Sequence, residues 1–230
     1  MAAGGSDHEM QAYLIWSYVH ILLLVFWLGT HVGVVIALMM ARNSRRSFEA
    51  RMALVKLSTL LEGFPRACLA LMLPVGLHLT KALNLYPMTT QLLSVAWGLA
   101  LFWVASIFVI RRSEGTTIAR VADRLRMLTQ AIVGLIFVVI GLNSLATGAP
   151  LVEIWFADKF LLFGLAYWCA IAIDVCRHPL QAPFLEIGQL GSTPEREEAV
   201  ARAVSNTAVA SLTLYALLAA IAFIGTVKPA

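Results

Sequence analysis

Charge is scarce in this chain. Only 13% of its 230 residues are Asp, Glu, Lys or Arg, where an ordinary soluble domain carries about a quarter. That shortage excludes a water-facing globule of this length. Cysteine is scarce as well. Cys68, Cys169 and Cys176 have no metal-type spacing, and no Cys-x-x-Cys-His sequence occurs, which argues against a disulfide framework and against c-type haem. There is no recognisable Ser-His-Asp set, phosphate-cradling glycine loop or hydrolase-type carboxylate pair. The first ten residues lack a basic n-region and a clear cleavage site, so they are not expected to act as a signal peptide. The small excess of 17 Lys and Arg over 13 Asp and Glu sits in short connections. It reads as membrane topology, not as nucleic-acid binding.

Apolar sequence is abundant instead: 60% of residues are hydrophobic and the mean hydropathy is +0.82. The expected fold is all-α, a polytopic membrane helical bundle of about six transmembrane helices in contact with the lipid bilayer. Residues 1–230 are read as one integral membrane domain, with helices expected near 12–41, 48–83, 91–110, 117–145, 152–176 and 195–226. Pro65 and Pro74 should kink the second helix without ending it. The stretch around Pro179, Pro183, Gly188 and Gly191 is expected to be a loop, and Thr193 should cap the last helix with Pro194 at its first position. Arginines cluster in alternate connections: Arg42, Arg45, Arg46 and Arg51, then Arg111, Arg112, Arg120, Arg124 and Arg126, then Arg177. The positive-inside rule places these in the cytoplasm and both termini on the other side, as in a multi-pass protein of a bacterial inner membrane.

The first apolar stretch carries two histidines. His20 and His31 are eleven residues apart, which brings them to within roughly 20° on one helix face. Tyr13, Trp16, Leu24, Trp27 and Val34 fall near the same line. Ionisable residues inside a membrane span are functional candidates by default. Counting depth from the helix ends sorts the polar residues into two layers: an outer one of His20, His78 and Lys159, and an inner one of His31, Glu62 and Arg66. Two neutral imidazoles on facing helices suit haem b, or a copper or zinc ion. Trp16, Phe26 and Trp27, with small Gly29 and Gly76, favour a large flat ligand over a bare ion. Lys159 could pair with a propionate. Arg66 could contact a propionate or a quinone, or simply pair with Glu62 one turn away. The competing reading is plain helix packing, since intramembrane histidines and tryptophans often bond or anchor neighbouring helices. Asp174 and Arg177 are expected at the interface, and His8 and His178 at the surface. Met39, Met40, Met72 and Met88 lack the clustering of a copper path.

The sequence His20-x6-Trp27-Leu-Gly29 resembles the first-helix signature of the copper-resistance D family of bacterial membrane proteins. The same spacing occurs in the related HemJ-type membrane protoporphyrinogen oxidases. Asp158-Lys159-Phe-Leu-Leu-Phe-Gly is similar to the start of a later helix in both. The likeness covers about helices one, two and five. The oxidase resemblance implies haem bound by His20 and a Lys159 needed for activity; the copper resemblance implies copper uptake across the inner membrane. The chain departs from both groups in lacking a long acidic loop and His-rich segments, and in adding His31, Pro65-Arg66 and Gly-Leu-His78.

Three functions are therefore expected in turn. The first is a haem b-binding membrane oxidoreductase or electron-transfer subunit, with haem between His20 and His78 and a quinone or redox protein as partner. The second is copper transport or handling through His20, His31 and His78. The third is a non-catalytic subunit whose polar layers only fix helix packing. A homo-oligomer is compatible with each.

Overall fold

The computed structural model describes residues 3–229, with side chains from residue 10 onward; the side chain of His8 lies outside the described residues. Eight α-helices and one 3-10 turn follow in order: α1 Ala3–Ala41, α2 Phe48–Leu61, α3 Gly63–Ala82, α4 Thr90–Arg112, α5 Thr117–Thr147, α6 Ile154–Arg177, the turn His178–Leu180, α7 Gln181–Leu190 and α8 Pro194–Val227. The described residues are 87% helical, with no strand among them. Among the described residues, six stretches are long and apolar enough to cross a membrane. This is an all-α, multi-pass membrane protein. A bilayer core offers no water to bond backbone groups, so each span must satisfy its own N–H and C=O along a helix.

The stretch expected as one helix over 48–83 is two helices, α2 and α3, broken at Glu62. Pro65 supplies the reason. It has no N–H for the carbonyl four residues back, Leu61, and its ring crowds that carbonyl, so Leu61 becomes the last residue of α2. Within α3 the same proline is harmless, because first-turn amides have no intrahelical partner to lose. Pro74 stays inside α3.

The expected loop after α6 is largely helical, formed by the 3-10 turn and α7. Leu180, Phe184 and Ile187 recur at helical spacing and bury one face in a cluster with Val34, Leu38, Val200 and Val204. Each such side chain taken out of water stabilises by roughly 1.5–3 kcal/mol, which outweighs the two prolines. Those prolines sit in first turns, where no donor is required. Thr193 caps α8 as expected, its hydroxyl accepting from the Arg196 N–H at 3.4 Å.

Contacts divide the chain into two compact units. The first holds the chain up to His31 together with Gly63–Arg126; the second holds Val32–Glu62 and the chain from Met127 onward. In the first, α3 packs on α4, burying Leu69, Leu73 and Leu77 of one, and Ala96, Ala100 and Trp103 of the other. In the second, α6 packs on α8, burying Ala166 and Tyr167 with Val204, Ser211 and Leu214. There α5 and α6 touch backbone to backbone: a Cβ on Gly164 would lie 2.6 Å from the Gly134 carbonyl oxygen, and one on Gly141 2.7 Å from the Leu161 nitrogen. Small residues at such crossings are how membrane helices gain close packing.

Candidate functional site

The first unit contains the histidine pair. Trp16 and His20 are one turn apart and so share a face of α1. That face meets α3: the His20 ring sits over Gly76, where a Cβ would be an ordinary 3.7 Å from its Cε1. The indole of Trp16 stacks on the His78 imidazole with centroids 4.1 Å apart and planes 9° apart. From the other side comes α4, whose Trp97 donates its Nε1–H to His78 Nε2 at 3.1 Å. His20, with its Nδ1 closed off from solvent, thus approaches α3 within one turn of His78.

This arrangement determines what His78 can do. An indole N–H is only a donor, so His78 Nε2 must be the acceptor. In a neutral imidazole the proton then sits on Nδ1, and neither nitrogen keeps a lone pair for a metal. One ring face is also covered by Trp16. A haem held by both His20 and His78 therefore does not fit. A haem held by one histidine needs a single imidazole beside flat apolar surface. His20, with Trp16 one turn before it and Gly76 opposite, is such a set.

Trp97 was absent from the sequence-based candidates, although a signal for it exists. It lies seven residues into α4, while His78 lies four from the end of the antiparallel α3. The depth count that matched His20 to His78 also matches Trp97 to both. A buried indole N–H moreover has to find an acceptor.

The remaining candidates of the first unit lie in or beside its core. Trp27 is 2% exposed in the core, and His31 is buried. Arg66 is half-buried on α3.

Lys159 belongs to the second unit. Its ammonium lies over Gly225 of α8, where a Cβ would meet Nζ at 2.7 Å; nearby, Lys228 holds its ammonium 5.3 Å above the Trp155 ring centre. Glu62, expected beside Arg66, accepts a short ion pair from Arg177 of α6. Arg177 also donates to Ser58 at 3.1 Å and Thr59 at 2.9 Å. Its side chain, at the last residue of α6, is only 13% exposed: a guanidinium with five donors is drawn in when a carboxylate and hydroxyls meet it together. A second inward arginine, Arg51, bonds both oxygens of Glu197 at 2.8 Å and the Ala41 carbonyl at 2.8 Å. His178 is exposed, as expected.

Among the described residues, no three His, Cys, Asp or Glu side chains converge as a metal site. Compared with models of protein families, with curated proteins and with solved structures, the chain matches none.

Proposed function

We propose that this chain is a haem b-binding membrane protein acting in redox chemistry or electron transfer, with His20 as the ligating imidazole. The supporting observation is the seat of His20: an α1 histidine set against Gly76 of α3, beside Trp16, inside an apolar span. Bound there, haem would supply a one-electron iron couple whose potential depends on its axial ligand and surroundings. The residues of the chain do the holding. His20 binds, and the apolar walls keep water out. His78, fixed between Trp16 and Trp97, anchors α1 and α4 to α3 and keeps that wall in place. The resemblance assigns Lys159 a part in activity, and Arg66 is a candidate for a propionate or quinone. The partner class is a quinone or a redox protein, at a bacterial inner membrane with the arginine-rich connections inside.

A second reading, a subunit whose polar groups only lock helices together, is favoured by the engagement of His78 and Glu62 with Trp97 and Arg177. Copper handling has no comparable arrangement behind it.

The visible spectrum of detergent-purified protein, made with ample haem supply, separates these. A Soret band that sharpens with dithionite, disappears in His20→Ala and survives in His78→Ala supports the proposal. A colourless protein without metal favours the packing reading. Copper retained without haem favours the copper one. Loss of the band only in His78→Ala would refute the assignment of the ligand to His20.

A further inference from the structure

The α4–α5 hairpin of the first unit has a feature that the haem reading does not use. A groove of about 430 Å³ runs between the two helices, within the roughly 300–1,000 Å³ range of ligand pockets. Phe102 and Val109 of α4 face Ile118, Val121 and Leu125 of α5, with Thr117 at the hairpin end. These apolar side chains are 38–63% exposed, so the groove opens outward to the surroundings of the helices. For a membrane span, those surroundings are acyl chains.

One end of the groove is cationic. Arg112 lies one turn beyond Val109, toward the turn that joins the two helices. Arg120 reaches back to donate to the Thr117 hydroxyl at 3.1 Å, which puts its guanidinium against a residue of the groove itself. Both are exposed. The acids nearby do not cancel them: Asp123 is taken by Arg126 at 2.6 Å, leaving Glu114. Fixed arginines at the mouth of an apolar slot between membrane helices form the complement of a phosphate head on a hydrocarbon tail. The amino end of α5 adds the positive end of its dipole at the same place.

We infer that the α4–α5 groove binds one anionic phospholipid, its acyl chain running toward Phe102 and Leu125 and its phosphate on Arg112 and Arg120 at the hairpin end. The apolar slot by itself would take any lipid tail. The charge at its mouth selects the head.

The test uses the full-length protein in detergent, titrated with phosphatidylglycerol or phosphatidylcholine and read by native mass spectrometry. The expected result is one tightly held phosphatidylglycerol, bound well over phosphatidylcholine. Each arginine removed should weaken it roughly fivefold, so that Arg112→Gln with Arg120→Gln loses more than tenfold. Ala122→Trp, which fills the slot and leaves every arginine in place, should remove the same bound lipid. Should the double glutamine variant not fold, the Arg→Lys pair and Ala122→Trp keep the question open to a decision: lysines should retain most binding, and the tryptophan should not. Equal binding of the two lipids would overturn the inference. So would phosphatidylglycerol binding indifferent to both changes, which is the behaviour of a general lipid annulus. A response reproduced by inorganic phosphate alone would make this an anion site, not a lipid site.

Discussion

The two units use polar groups differently inside apolar surroundings. The first secures His78 with a neutral hydrogen bond from Trp97 and a stacked Trp16. The second secures Glu62 with the charged Arg177, and Glu197 with Arg51. Their helix crossings differ in the same sense. Gly76 in the first unit leaves ordinary contact room, whereas Gly134, Gly141 and Gly164 in the second allow no Cβ at all. A neutral bond between rings can be lost at modest cost. A buried ion pair cannot lose one member without stranding a charge, and a backbone-to-backbone crossing cannot gain an atom. The first unit is thus built with slack around its histidines, and the second is built tight.

The largest expected effect tests the tight unit. Arg177→Ala leaves the Glu62 carboxylate without its guanidinium and should destabilise by about 3–5 kcal/mol, read by circular dichroism melting in detergent. Arg177→Met combined with Glu62→Gln should recover much of that loss, because the penalty lies in the stranded charge. If the single variant melts like the wild type, the pair is not a main support of the second unit.

Next comes the matched glycine comparison. Gly164→Ala forces a methyl into the Gly134 carbonyl and the Val138 side chain, and should cost about 1–3 kcal/mol. Gly76→Ala should be neutral, or stabilising by up to about 1 kcal/mol through helix propensity. Equal losses in the two variants would erase the contrast between slack and tight crossings.

The smallest effect belongs to the aromatic cluster. Trp97→Phe keeps the ring and removes the N–H, and should cost about 1 kcal/mol. It also releases His78 Nε2. In protein that carries haem, the variant should therefore change the Soret position if His78 moves in as a second ligand, whereas the wild type keeps one histidine. An unchanged spectrum would mean that Trp16 alone holds the ring away.

Much of the architecture was legible beforehand because it depends on local, one-dimensional properties. Apolar runs of about 20 residues in a chain so poor in charge leave helices as the spanning form. Thr193-Pro194 announces the start of α8 through cap chemistry alone. The break at Glu62 was in principle readable too, since Pro65 acts on a carbonyl only four residues away. The helix at 181–190 was harder to read. Its prolines suggested a loop, and only the burial of Leu180, Phe184 and Ile187 beside distant Val34 and Val200 overrides them.

The candidate site divides along the same line. Helical spacing and depth single out His20 and His78 as polar groups at one level of neighbouring helices. Which nitrogen of His78 keeps a lone pair is decided by an indole on α4, nineteen residues away. What the Arg177 guanidinium pairs with is likewise set in space, by a carboxylate 115 residues away. Composition and periodicity determined that this is an all-α chain spanning a membrane, because backbone hydrogen bonding in a bilayer is settled within each segment. The tertiary structure decided which polar groups meet, because a donor and its acceptor are matched in space and leave no trace in the spacing along either helix.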